Sequence, residues 1–248
     1  MRRGYGVYVL DQPLRGKAGT STEGIDLKPG FSDRRIVSLF RLGEWPNYSP
    51  GVKFPQAPAS LEQLFRQATP NTGPYDIDVI SDGVAAAFDK IGPSVLVSHS
   101  MGRTIGWFTG IKSRNVSAIV SYEPGGSPFL FPEGQVPEAV DSSYGLIRAQ
   151  AVPLEDFKKL ISKPIIIYYG DNLATGPSTD IGRDQWRVEM QMARKFAEVA
   201  NSTGGDVQVV HLPEIGITGN THFPFADLNN VEIADLLSKW LGEKGLDK

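Results

Sequence analysis

Short, continuous apolar runs recur along the chain, each with Gly or Pro close to its ends. Apolar residues follow one another in these runs instead of alternating with polar ones, which is typical of strands buried on both faces. Strands of this kind belong to parallel sheets covered by helices on both sides. The runs are YGVYVL (5–10), SVLVS (94–98), VSAIVSY (116–122), PIIIYYG (164–170) and VQVVHL (207–212).

Helix-forming segments lie between these runs. Residues 78–92 and 183–205 carry amphipathic patterns that end in glycine, and residues 229–245 place apolar side chains on one stripe. Strands that alternate with helices predict an α/β fold with a mostly parallel sheet, flanking helices and right-handed crossovers. The 248 residues are within the range of one α/β domain, so we expect residues 1–248 to form a single domain.

Two segments, residues 20–75 and 125–160, interrupt the alternation and are rich in Pro, Gly and aromatic residues. Long irregular segments in compact domains are usually lids or binding loops, so we expect lid or substrate-loop insertions here. The alternative is a poorly ordered surface loop. The lid is favoured because residues 20–75 contain many aromatic side chains, which are expected to pack over another part of the molecule. They are Phe31, Phe40, Trp45, Tyr48, Phe54 and Phe65.

The second apolar run ends abruptly in SHSMG (98–102), and a helix-forming segment, residues 102–112, follows. A strand–turn–helix elbow of the form Gly-x-Ser-x-Gly pushes a serine hydroxyl into a pocket, and here Ser98 stands in place of the first glycine. Ser100 is then the candidate nucleophile, and the Met101 N–H is aimed at a developing oxyanion. The alternative is an ordinary turn between strand and helix.

A serine nucleophile requires a base, and the chain has three histidines. His99 is beside the serine and is expected to be a packing residue, and His211 lies inside a predicted strand. His222 lies in the loop between the last strand and the last helix, where the chain order Ser, acid, His of this kind of site places the base. The alternative for His222 is a loop histidine bonded to Asn220 or Asp227.

Two carboxylates are candidates for the acid that orients the base. Asp171 directly follows Gly170 at the end of the fourth run. Glu123 ends the third run, on the strand next to the elbow, and is followed by Pro124 and two glycines. A carboxylate at that position has no obvious structural reason, so Glu123 is favoured and Asp171 remains the alternative.

Composition excludes several kinds of function. The chain has no cysteine, which excludes disulfides and thiolate metal sites, and we expect neither a metal nor a cofactor. The net charge is −3 and the basic residues are scattered, so no partner nucleic acid or anionic membrane is expected. No apolar run approaches the ~20 residues of a spanning helix. The first residues lack a signal-peptide pattern, and a cytoplasmic location is the default expectation.

Five motifs together resemble the α/β-hydrolases, and in particular an esterase-like subgroup of bacteria and fungi. They are GYGVYVLDQPLRGKAG (4–19), VLVSHSMG (95–102), AIVSYEPGG (118–126), PIIIYYGD (164–171) and GNTHFPFADLNNVEIADLLSKWL (219–241). In that subgroup the acid is a Glu after the strand that follows the elbow. The resemblance therefore implies a triad of Ser100, Glu123 and His222.

The resemblance implies a serine hydrolase that cleaves a small-molecule carboxylic ester or lactone through an acyl-enzyme. Two alternatives remain open. The chain could be a catalytically weak or inactive member of the fold that binds a small molecule, or, less favoured, a lipase-like enzyme of membrane surfaces.

The start of the chain departs from the family pattern. Relatives have strands before the first motif, and one of these ends in a His-Gly turn that supplies a second oxyanion donor; this sequence has no counterpart. We therefore expect an N-terminally truncated fold, slow ester turnover by the 248-residue chain, and an open reading frame upstream of Met1. We also expect Tyr5–Leu10 to be a strand parallel to residues 95–97, as its neighbour or across a gap.

Overall fold

The structure is a computed structural model that describes residues 3–20, 27, 32–126 and 128–247. The helices are α1 (Asp33–Leu39), α2 (Pro58–Arg66), α3 (Ile77–Ile91), α4 (Gly102–Lys112), α5 (Leu154–Ile161), α6 (Ile181–Ser202) and α7 (Asn230–Glu243), with 3₁₀ turns at Gly16–Gly19 and Leu212–Ile215. The strands are β1 (Gly43–Glu44), β2 (Asn47–Tyr48), β3 (Ser94–His99), β4 (Val116–Tyr122), β5 (Phe129–Pro132), β6 (Val140–Ser142), β7 (Gly145–Ile147), β8 (Ala149–Val152), β9 (Ile165–Tyr169) and β10 (Val207–His211).

Four of the five predicted strands form one parallel sheet in the order β10-β9-β4-β3. The predicted α/β fold with a mostly parallel sheet and flanking helices is therefore confirmed. In register, His99 at the end of β3 pairs with Tyr122 at the end of β4, and Tyr122 pairs with Tyr168 of β9. The carboxyl ends of these strands meet at one edge, which is where parallel sheets place their sites.

The two central strands, β4 and β9, are buried on both faces, which explains their continuous apolar runs. On one face, Ile119, Ile165 and Ile167 pack in a core cluster with side chains of α4, α5 and α6. On the other face, Val120 and Ile166 pack against α7. Successive strand residues point to opposite faces, so a strand covered on both sides needs an apolar residue at nearly every position.

The first predicted strand is wrong, because residues 5–10 have no regular secondary structure. The side chains of Val7 and Val9 are 59% and 86% exposed. Within the described residues β3 pairs only with β4, so residues 5–10 are not its neighbour in the sheet. A strand persists only where its backbone groups bond to a partner, and residues 5–10 belong to none of the ladders.

The two predicted insertions contain short elements that pack into the molecule. Phe129 and Phe131 are fully buried in the main core cluster, and α5 packs there as well. Within residues 20–75, Val37, Leu42 and Phe54 form a separate small core. Phe31 lies outside the described residues, as do most of residues 20–31. The role of these segments as lids stays a prediction.

Within the described ranges, no helix has both the length and the apolar character that crossing a bilayer requires.

Candidate active site

Ser100 lies in a sharp turn between β3 and α4. Its φ is 54°, in the left-handed region that side chains other than glycine seldom adopt. Two backbone hydrogen bonds hold the turn: the Ser100 N–H donates to the Tyr122 carbonyl at 3.1 Å, and the Arg103 N–H donates to the Ser100 carbonyl at 3.1 Å. The structure therefore shows a strained strand–turn–helix elbow at the predicted serine.

The close approach of strand and helix at the elbow does not depend on the two small residues of the motif, Ser98 and Gly102. A Cβ at Gly102 would meet nothing within 4 Å, whereas a Cβ at Gly106 would lie 2.7 Å from Leu96. Close packing of α4 on β3 thus depends on Gly106, one turn further along the helix. The Ser98 hydroxyl is bonded to the Ser121 hydroxyl of β4 at 3.0 Å and is part of the sheet.

Glu123 follows β4 with a φ of 47°, and its side chain is fully buried. One carboxylate oxygen, Oε1, accepts hydrogen bonds from Arg41 Nη2 at 2.7 Å and from the Gly170 N–H. The other oxygen, Oε2, lies 3.4 Å from His222 Nδ1. Glu123 is thus in contact with the histidine that the sequence nominated as base.

Asp171 has other partners. Its carboxylate accepts hydrogen bonds from the Asn172 N–H and from the Gly219 N–H, both at 2.6 Å. The second of these bonds ties the loop after β9 to the loop that carries His222. Of the two candidate acids, the structure brings Glu123 to His222 and engages Asp171 in the backbone of the neighbouring loops.

The His222 imidazole is 1% exposed and is enclosed by aromatic rings. It stacks on Phe40 with ring centroids 4.8 Å apart, and the rings of Trp186 and His99 lie at 4.2 and 4.5 Å. His99 also bonds through Nε2 to the His222 carbonyl at 2.8 Å, so it packs beside His222, as expected. Among the described residues, His222 Nε2 has no hydrogen-bond partner.

Asn220 and Asp227 do not bond to the His222 ring, contrary to the alternative considered for this histidine. Asp227 instead accepts from the Thr221 N–H at 2.7 Å, from the Thr221 hydroxyl at 2.9 Å and from the Asn220 amide at 3.1 Å. These bonds order the loop directly before His222 and leave its Nδ1 facing Glu123.

Burial and neighbouring charges shift the pKa values of Glu123 and His222 in opposite directions. Together with Arg41, these two residues form a buried cluster. Burial alone would raise the pKa of Glu123, but the Arg41 guanidinium and His222 outweigh it and lower that pKa to about 2. Burial lowers the pKa of His222, and the carboxylate of Glu123 opposes that effect only in part. At neutral pH the cluster therefore contains an ionised Glu123 beside a neutral imidazole.

Two buried charged side chains near the site were missed by the sequence analysis. Arg41 contacts Glu123, although it lies in the segment that was expected to be a lid. Glu189 of α6 accepts a hydrogen bond from the Gly126 N–H at 2.8 Å and lies 3.8 Å from the Arg103 guanidinium. The bond between Glu189 and Gly126 holds the turn that follows Glu123. The only sequence signal for Arg41 is a charged residue between Phe40 and Leu42.

A cavity of about 450 Å³ lies beside this cluster and has Arg41 in its lining, with Trp45, Tyr48, Asn172, Asp180 and Arg183 among the other residues. Ser100, Glu123 and His222 are not part of that lining. Over residues 3–20, 27, 32–126 and 128–247, no group of three or more His, Asp or Glu side chains could hold a metal ion.

Gly170 packs closely against Glu123 and the loop that carries His222, and leaves no room for a side chain. A Cβ there would lie 2.7 Å from the Asn220 carbonyl and 2.9 Å from Glu123 Oε1. Gly170→Ala is therefore expected to lower the free energy of unfolding by about 1–3 kcal/mol, the usual effect of overpacking. Denaturant unfolding measures it, with Gly176→Ala as control, because a Cβ at Gly176 meets nothing within 4 Å. Equal stability of the two variants would contradict the packing.

No family model matches the chain. Among curated proteins, the chain is similar to "Probable secreted lipase phiG" of Fungal sp. (strain ATCC 74256), at 26% identity over 269 residues, covering 96% of this chain and 72% of the relative. The default expectation of a cytoplasmic location is corrected by this match, because the relative is named as secreted.

Among solved structures, the fold is similar to one described as "The Atomic Resolution Structure of a Novel Bacterial Esterase". The TM-score is 0.67 at 23% identity, and the match covers 91% of this chain. The chain spans 62% of the length of that esterase. The mixed α/β architecture of this chain, with its mostly parallel sheet, is thus the fold of a solved esterase.

Proposed function

We propose that this chain is a serine hydrolase that cleaves a carboxylic ester or lactone through an acyl-enzyme. Ser100 is the nucleophile, His222 the general base and Glu123 the acid that orients it. The Met101 N–H is one donor of the oxyanion hole. The names of the two similar proteins, a lipase and an esterase, support ester hydrolysis as the general reaction.

One observation carries the proposal: a buried, neutral imidazole has one ring nitrogen facing a buried carboxylate and the other without a partner. His222 Nδ1 lies 3.4 Å from Glu123 Oε2, while Nε2 has no partner within the described residues. A triad histidine needs this division, because Nδ1 donates to the acid while Nε2 accepts the proton of the nucleophile. The distance of 3.4 Å is long, and such bonds often shorten only when substrate is bound.

The proposed reaction follows from this division. The Ser100 hydroxyl attacks the carbonyl carbon of the ester, and its proton passes to His222 Nε2. The charge that develops on the imidazolium faces the Glu123 carboxylate. When the tetrahedral intermediate collapses, His222 returns the proton to the departing alkoxide, which leaves Ser100 acylated. Water then attacks the acyl-enzyme by the same steps and releases the carboxylic acid.

The position of Met101 supports its proposed role. Met101 is the residue immediately before α4, and the first N–H groups of a helix have no carbonyl partner within the helix. The positive end of the helix dipole lies at the same place. A negative oxygen that forms beside Ser100 would therefore meet an N–H donor and a favourable field.

Labelling with a fluorophosphonate tests the proposal directly, because only an activated serine reacts with this probe. We expect one label per chain, located at Ser100 by peptide mapping, and turnover of at least one member of a panel of chromogenic esters and lactones. Ser98 is the internal control, because its hydroxyl is bonded within the sheet. A folded chain that takes no label and cleaves no ester would refute the proposal and favour the binding protein considered above.

A further inference from the structure

Arg41 is a fully buried cation in direct contact with the proposed acid. Its Nη2 donates to Glu123 Oε1 at 2.7 Å, its Nε donates to the Asp171 carbonyl at 2.8 Å, and neither Arg41 nor Glu123 has an exposed side chain. The guanidinium also lies over the Trp186 ring, 5.5 Å from its centroid. Trp186 packs in turn against His222. Arg41 is therefore in contact with several residues around the proposed base.

We propose that Arg41 is a positioning residue that fixes which oxygen of Glu123 faces His222 and keeps that carboxylate ionised. The inference rests on the proposed function, since it names a further residue of the same site. Arg41 and the Gly170 N–H occupy Oε1 together, which leaves Oε2 for His222 Nδ1. A carboxylate held on one oxygen by two donors cannot rotate without breaking both bonds.

Stability alone is a weak reason for such a pair. Removing two charges from water is so unfavourable that a buried ion pair often contributes no more net stability than apolar residues of the same volume. Without the cation, however, burial would favour protonation of Glu123, and a protonated acid could no longer balance an imidazolium. The Arg41–Glu123 ion pair therefore serves the proposed base, His222, by keeping a negative charge beside it.

The charge of Arg41 also acts on His222. Burial is the main cause that lowers the pKa of His222, and the Arg41 guanidinium lowers it further. Among the described residues, three other titratable groups lie close to Glu123 and His222. They are His99 from the end of β3, Tyr169 from β9 and Asp227 from the loop before α7. His99 is neutral at pH 7, because burial and then the charge of His222 lower its pKa to about 3. Arg41 is the one of these neighbours that brings a permanent positive charge.

Two substitutions separate the charge of Arg41 from its geometry. Arg41→Gln keeps an N–H donor and removes the charge, whereas Arg41→Lys keeps the charge but loses the planar fork that reaches Glu123 and Asp171 together. The matched control is Arg187→Gln, because Arg187 forms another buried pair, with Asp184 at 2.7 Å, that does not contact the triad.

The pH dependence of kcat/KM reports the first protonation of the coupled Glu123–His222 pair. Removing a positive neighbour makes that protonation easier, whichever partner takes the proton. Arg41→Gln is therefore expected to move the acid limb to higher pH than in the unsubstituted protein, and Arg187→Gln to leave it in place. Arg41→Lys is expected to keep the limb while kcat falls about 10–100-fold, the scale for an outer partner that orients a reacting group.

A readout without turnover keeps this test independent of the proposed function. The ring signals of His222, assigned with His99→Gln and His211→Gln variants, are titrated by NMR. The first-protonation midpoint is expected to be higher in Arg41→Gln than in the unsubstituted chain. If the midpoint is unchanged in folded Arg41→Gln, the inference about Arg41 is overturned, even when Ser100 is labelled. If the midpoint shifts but Ser100 takes no label, only the proposed function is overturned. Should Arg41→Gln fail to fold, an unchanged kcat in Arg41→Lys would overturn it.

Discussion

Ser100→Ala is expected to reduce kcat for ester cleavage by about a million-fold, the scale for removing the nucleophile of a triad. The reason is that the reaction proceeds through a bond to the Ser100 hydroxyl oxygen, which alanine lacks. Ser98 is nearest in sequence, but its hydroxyl is bonded to the Ser121 hydroxyl at 3.0 Å within the sheet. Steady-state kinetics on the best ester from the panel measure the loss, and fluorophosphonate labelling is expected to disappear with it.

Ser98→Ala is the matched control, with the same chemical change two residues away. It removes the buried hydrogen bonds of Ser98 to the Ser121 hydroxyl and to the Val120 carbonyl. At about 0.5–1.5 kcal/mol for each bond, this is expected to lower the free energy of unfolding by about 1–3 kcal/mol and to leave kcat almost unchanged. Loss of activity in Ser98→Ala together with normal activity in Ser100→Ala would show that the elbow has been assigned in the wrong register.

Glu123→Gln is expected to lower kcat by about ten-thousand-fold, as loss of the orienting acid does in triads. A neutral amide cannot stabilise the imidazolium, and the Arg41 guanidinium would then remain buried without an anion. Asp171→Asn removes a carboxylate of the same region that bonds backbone N–H groups of Asn172 and Gly219. We therefore expect it to weaken the loops and to leave most of kcat.

Kinetics of the two variants, each checked for folding by circular dichroism, decide between the carboxylates. A greater loss of kcat in Asp171→Asn than in Glu123→Gln would transfer the role of the acid to Asp171. Equal losses would mean that neither carboxylate acts alone, and would contradict the contact between Glu123 Oε2 and His222 as the basis of the site.

The fold and the candidate site differed in how far they could be predicted. Four apolar runs became the parallel strands. The signal is strongest for β4 and β9, because a strand covered on both faces is apolar at nearly every position of its own sequence. Ser100, Glu123 and His222 could be nominated for a related reason, since each follows a strand at the same edge of the sheet. Residues 5–10 have the same kind of sequence and form no strand, because pairing depends on a neighbour that the run itself does not specify.

The sequence by itself determined four strands of the sheet and the flanking helices, and it nominated Ser100 and His222 as site residues, because these follow from local patterns and from the rule that parallel strands end together. Only the tertiary structure showed that Glu123, and not Asp171, lies next to His222, and only it brought Arg41 to Glu123 across 82 residues of chain. The environment of a buried charge consists of groups from distant segments, such as Arg41, Gly170 and His222 around Glu123. Whether these groups come close to Glu123 depends on how the distant segments pack together, and no short stretch of sequence specifies that packing.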